Sequence, residues 1–208
     1  MRSNGTWRAG TAVGVITLAV TGVSLIGAGY GTSSVPPVVE ASGSAGFAGA
    51  VARAPASAPV GLRIDAISVE APVEDVDVDR DGTLVPPSLR EASKVGWYQR
   101  GPTPGETGNA VIVGHVDTAG SGPAVFYRLG RLKPGDPVTV TRRDGSAVTF
   151  AVDSVRLYSK HEFPADLVYG PAVRPQLRLV TCGGTFDRAT STYSGNTVIT
   201  ATMVSWRS

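Results

Sequence analysis

From about Val60 onward the chain alternates apolar and polar residues in short runs broken by turn residues. This period of two constrains the fold more than any other feature of the sequence. "VGLRIDAISVEAPVEDVDVDRDGTLVPP" sets the pattern, and "NAVIVGHVD", "PVTVTRRDGSAVTFAVDSVRLY", "QLRLVTCGG" and "NTVITATMVSW" repeat it. Alternation with β-branched residues marks strands with one face buried. In "RRDGSA", Asp144-Gly145 stands between two such runs, a hairpin signal. Only "AVFYRLGRL" suggests a short helix or turn. Many short strands with almost no helix, over about 150 residues, predict an all-β domain: a closed or nearly closed β-barrel.

The N-terminus differs. Arg2 and Arg8 precede an uncharged stretch over residues 9–39. Its apolar centre, residues 11–30, is long enough for a membrane-spanning helix, which needs about 20 residues. Its eight Val, Leu and Ile residues contribute roughly −2.5 to −5 kcal/mol of insertion drive, partly offset by Gly, Thr and Ser. Positive charge before the stretch orients the N-terminus inward and the rest outward. A cleaved signal peptide is the competing reading, although "GAGYG" is a poor cleavage site. Residues 32–59 are rich in Ala, Gly, Ser and Pro without a sustained period, as in a disordered tether. The expected organisation is a cytoplasmic start and signal anchor over 1–31, a tether over 32–59, and a folded β domain over 60–208. That domain would lie outside a plasma membrane crossed once.

Composition excludes several classes. The net charge is +2 over 208 residues, with acids and bases interspersed, so nucleic acid is not an expected partner. No phosphate loop or dinucleotide motif is present. One cysteine and two separated histidines make no zinc site, and no cofactor is expected. "DVDRDG" imitates the opening of a calcium loop, with Asp77, Asp79 and Asp81 at its first, third and fifth positions. The twelfth position, where a bidentate Glu belongs, is Ser88. A strand entering a turn is the expectation there.

The single cysteine, Cys182, cannot form an internal disulfide. Such a residue is a buried inert thiol, an intermolecular link or a nucleophile. It follows the strand-like run "LRLVT" and precedes "GG", where a strand opening into a glycine loop lets backbone approach a substrate. A thiol is only slightly ionised at neutral pH, so a nucleophilic cysteine needs a basic partner. His115 mirrors Cys182: an apolar strand, then a reactive residue, then a small-residue loop. His161, in "LYSKHEFP", reads as a surface residue. Acyl transfer also needs a group that holds the developing oxyanion. Arg188 follows the cysteine and offers one candidate.

"NAVIVGHVD", then "GPAVFYRLGRLKPGD", then "LRLVTCGG-FD…Y..NTVITA" resemble the sortases, most closely the class F type of actinobacteria. The resemblance spans about residues 61–206. Neither "GHVDT" nor "LVTCGGTFD" is specific alone; their combination at this separation is. It implies an eight-stranded sortase barrel and a cysteine transpeptidase acting on an LPXTG-type sorting signal. Cys182 would attack the Thr–Gly carbonyl to form a thioacyl enzyme, and His115 would shuttle the proton. Partners would be the sorting-signal peptide and an amine acceptor such as a cell-wall precursor. The family's arginine commonly precedes the last strand, where this chain has Asn196. Arg188 is taken as the oxyanion residue, with Asn196 and Thr181 as substrate-binding residues and Arg178 as a weaker alternative. Papain-like hydrolases place the cysteine before the histidine, the reverse of this order. A sortase fold that has lost activity is the alternative from another class.

Overall fold

The computed structural model describes residues 41–42 and 53–208. The expected anchor over 1–31 and most of the expected tether lie outside the described residues. Among the described residues, no helix is long and apolar enough to cross a membrane.

Eight longer strands form the domain: β1 (Pro59–Ile64), β2 (Val69–Val76), β3 (Val95–Tyr98), β4 (Gly108–Val113), β5 (Pro137–Arg142), β6 (Ala147–Ser159), β7 (Pro175–Asp187) and β8 (Thr192–Arg207). Their pairing runs β6-β8-β7-β4-β3-β2-β1-β5, and β5 pairs with β6 to close the barrel. Two pairings are parallel, β2 with β3 and β4 with β7; the rest are antiparallel. Closure leaves the barrel without a free edge, which disposes of unpaired backbone donors and acceptors. Among the described residues, helix is confined to 3-10 turns and the five-residue α1 (Ala165–Tyr169).

Alternation sorts each strand onto two faces. Ala110 and Ile112 of β4, Leu177 and Leu179 of β7, and Ile199 and Ala201 of β8 point into the barrel core. Val111 and Val113, Val180, and Val198 point outward into a second buried cluster, which Val168 of α1 helps to cover. Arg178 shares that outer face. Its Nε donates to the Leu167 carbonyl at 2.9 Å and its guanidinium also reaches Leu177 and Gln176. Asn109 donates to the carbonyls of Leu167 and Gly170. These bonds hold α1 on the sheet, and burial pushes the Arg178 pKa down to about 10. Arg178 thus anchors a loop.

The local turns follow their chemistry. Asp144-Gly145 makes the β5–β6 hairpin, with Gly145 at φ 84°. In "DVDRDG" the Asp79 carboxylate accepts from the amides of Asp81 and Thr83, and Val78 bridges to Leu84. The acids organise a turn, as expected.

Packed structure is present before residue 60, inside the expected tether. Ala54 is buried and donates its amide to Gly105, and Ser57 donates to Thr103. Arg142 explains why. Its fully buried side chain donates to Ser146 Oγ at 2.7 Å and to the Pro55 carbonyl at 2.6 Å, reaches Asp144 at 3.3 Å, and lies over Trp206. A buried guanidinium needs acceptors, and the segment before β1 supplies one. Residues 41–42 also pair with β6, at Val155 and Ser154.

Replacing Arg142 with Ala removes these bonds and leaves a cavity, so it should cost about 3 kcal/mol of unfolding free energy. Urea denaturation followed by tryptophan fluorescence measures this. A loss below about 0.5 kcal/mol, the range of ordinary surface changes, would show that the guanidinium does not pin the segment.

Candidate active site

The parallel pairing of β4 with β7 brings together two residues that are 67 positions apart in sequence (182 − 115). The register runs from Pro175 opposite Gly108 to Val180 opposite Val113. It continues one step further: the Gly114 amide donates to the Val180 carbonyl at 3.2 Å, and Thr181 Oγ1 donates to the Gly114 carbonyl at 2.8 Å. His115 follows Gly114 and Cys182 follows Thr181. The two therefore lie at the same level, just past the paired stretch of adjacent strands that stand about 4.8 Å apart in such a sheet. By alternation both share the outer face of Val113 and Val180.

On the other side of Cys182, β8 contributes Asn196 as its direct antiparallel partner. Directly opposed residues share a face, so Asn196 stands beside the thiol. Tyr158 of β6 is opposite Asn196 in turn. The outer face thus carries a row His115, Cys182, Asn196, Tyr158 across four neighbouring strands.

Gly114 is needed where it stands. A Cβ there would lie 2.7 Å from the Phe126 ring and 2.9 Å from Val125. Phe126 and Val125 belong to the loop that returns over His115, and the Phe126 amide donates to the His115 carbonyl at 2.9 Å. The His115 ring is buried, and its Nε2 donates to the Pro87 carbonyl at 2.6 Å. A carbonyl only accepts, so this bond fixes hydrogen on Nε2 and leaves Nδ1 as the nitrogen that can exchange a proton.

Cys182 is mostly buried, and burial pushes its thiol pKa up. The Lys160 ammonium, at the end of β6, opposes that rise and the Asp117 carboxylate adds to it. Asp117 lies two residues beyond His115 and accepts a short hydrogen bond from the Tyr193 hydroxyl. Tyr193 stacks on Phe186 with ring centroids 5.0 Å apart.

The sequence-predicted residues divide. Cys182, His115 and Asn196 come together on one face. Thr181 faces inward, buried, with its hydroxyl donated to Gly114. Arg188 is exposed in the turn between β7 and β8. β7 does not end at Cys182 as expected: it runs on to Asp187 through a bulge between Gly183 and Phe186, where Gly184 takes φ +84°. At about 3.3 Å per residue, up to about 20 Å of strand separates Cys182 from Arg188. His161 is exposed, as expected. Trp97 and Phe126 are core residues and Phe163 packs on the outer cluster. Sequence reasoning missed Pro87, Asp117, Lys160 and Tyr193. Asp117 and Tyr193 lay inside quoted motifs, "GHVDT" and "Y..NTVITA", whereas a backbone carbonyl such as that of Pro87 leaves no signal.

The Sortase domain family matches residues 62–204, so this chain belongs to the sortase family. Solved structures agree on the fold. Sortase A from Corynebacterium diphtheriae is 21% identical with a TM-score of 0.53, covering 74% of this chain and 63% of that one. Sortase A from Listeria monocytogenes is 14% identical at TM-score 0.54, covering 72% and 90%. A sortase D5 transpeptidase from Clostridium perfringens is 18% identical at TM-score 0.52, covering 71% and 79%. No curated protein sequence matches the chain.

With the thiol pKa raised, alkylation of Cys182 by iodoacetamide should be slow at neutral pH and should rise only above the ordinary thiol value of about 8.5. A rate profile from pH 6 to 10 tests this. A plateau reached below pH 8 would mean that the resting thiol is already ionised.

Proposed function

We propose that this protein is a cysteine transpeptidase of class F type that cleaves an LPXTG-type sorting signal and transfers the acyl fragment to an amine. The observation that carries the reading is the common level and face of Cys182 and His115 just beyond the paired stretch of two parallel strands. Membership of the sortase family supports it.

In this reading Cys182 sulfur adds to the carbonyl of the Thr–Gly bond, with its proton taken by His115 Nδ1. The tetrahedral oxyanion collapses, and the C–N bond breaks. His115 returns the proton to the departing glycine amine, leaving a thioester on Cys182. An acceptor amine then adds to the thioester, losing its proton to His115, and the thiol leaves with that proton. The Pro87 carbonyl holds the ring throughout and stabilises the imidazolium. The oxyanion needs a donor about 3 Å away. Asn196, opposite Cys182, is the residue best placed to donate, through its Nδ2. Its Oδ1 is buried without a partner. An orphaned acceptor costs about 1–3 kcal/mol, which an N–H of a bound peptide would relieve. Arg188 remains the alternative, and it requires the hairpin tip to fold toward the thiol. The uncharged stretch over residues 9–39 would anchor the enzyme with its barrel outside the membrane. The acceptor would then be a cell-wall precursor or another surface amine.

The full chain incubated with an LPXTG-type peptide and hydroxylamine should yield a hydroxamate ending in Thr, read by mass spectrometry. Cys182→Ala should abolish it. Asn196→Ala should lower kcat by about 10²–10³-fold, the cost of an oxyanion donor, while Arg188→Ala leaves it within about twofold. The reverse pattern would transfer the role to Arg188. Intact peptide across related motifs, with the protein folded, would favour an inactive sortase fold.

A further inference from the structure

The β4–β7 ladder stops at Gly114 and Thr181, so His115 and Cys182 lie just beyond the last backbone tie between their strands. Past that point the next bond joining the two sides is between side chains. Tyr193 of β8, three residues before Asn196, donates its hydroxyl to the Asp117 carboxylate, two residues after His115. Both partners have a firm footing. The Tyr193 ring is buried against Phe186, and Asp117 pairs with Pro123 in a two-strand ribbon that closes the His115 loop. Burial, the Asp117 bond and the nearby charge all push the Tyr193 pKa up, so the hydroxyl stays a donor across the physiological range.

We propose that Asp117 and Tyr193 are positioning residues, a clasp that fixes His115 relative to Cys182 and sets a carboxylate beside the thiol. The clasp joins the histidine loop to the β7–β8 hairpin, so the two reactive groups are framed on both sides: by the Gly114–Thr181 tie below and by the clasp beyond. Around the thiol stand Asp117 from the loop after β4, Lys160 from the end of β6, and Tyr193 from β8, with His115 level with it by the strand register. Asp117 is the acid in that set, and it opposes thiolate formation while Lys160 favours it.

The role rests on the transpeptidase reading, but one of its two readouts does not. Tyr193→Phe keeps the ring on Phe186 and removes only the bond. In the full chain it should lower kcat for the sorting peptide by about tenfold to a hundredfold, as a displacement of order 1 Å does. KM should stay within about twofold, and the thermal midpoint should be retained. Asp117→Asn retains an acceptor and removes the charge. It should keep more of kcat than Tyr193→Phe, and move the pH profile of Cys182 alkylation to lower pH. Asp117→Ala should show both effects. Wild-type kcat in Tyr193→Phe would overturn the clasp, as would an alkylation profile in Asp117→Ala that superimposes on the wild type. If the wild-type chain leaves every sorting peptide intact, the transpeptidase reading fails, and the alkylation profiles alone decide whether Asp117 acts on the thiol.

Discussion

The site depends on the parallel pairing of β4 with β7. Two consecutive bonds, Gly114 amide to Val180 carbonyl and Thr181 hydroxyl to Gly114 carbonyl, bring the strands to the same level. The next residues, His115 and Cys182, then stand level and both face outward. A shift of one residue in this register would send Cys182 to the interior while His115 stayed outside. The barrel makes such a slip costly. Leu177 and Leu179 would leave the core, and Val180 would leave the outer cluster. Hydrophobic packing on both faces therefore sets the relation between Cys182 and His115.

Thr181 and Gly114 serve this geometry. Gly114 admits the Phe126 ring that closes the loop over His115, and Thr181 gives its hydroxyl to the bond between the strands. The Pro87 carbonyl then sets the tautomer of the imidazole, and the Asp117–Tyr193 bond closes the frame. Burial pushes the thiol pKa up, with Lys160 and Asp117 pulling in opposite senses. In the proposed reaction the nucleophile is generated as substrate arrives, when His115 accepts the proton.

Much of this was legible in the sequence. Alternation marked the strands, Asp144-Gly145 marked a hairpin, and the matching surroundings of Cys182 and His115 marked two residues that the register brings to one level. The strand order was not legible, because β4 and β7 pair in parallel across a long connection and local pattern carries no register. The same limit explains the residues around the thiol. Arg188 is six positions from Cys182 yet sits at the far end of a hairpin, while Asn196, fourteen positions away, lies directly opposite. Proximity along an extended strand is poor evidence of proximity in space, and a "GG" that reads as a loop can be a bulge within one strand. The packing of the segment before β1 depends on Arg142, whose burial could not be read from a run of charged residues beside a turn.

The most direct test of the central claim is to trap the acyl enzyme. The full chain would be mixed with an LPXTG-type peptide, quenched in acid within seconds, digested and mapped by mass spectrometry. The account predicts a thioester-linked fragment ending in Thr on the peptide that contains Cys182. It also predicts that the adduct disappears when an amine acceptor is added before the quench. Cleaved peptide with the acyl group on another residue, or cleavage that persists in Cys182→Ala, would contradict it.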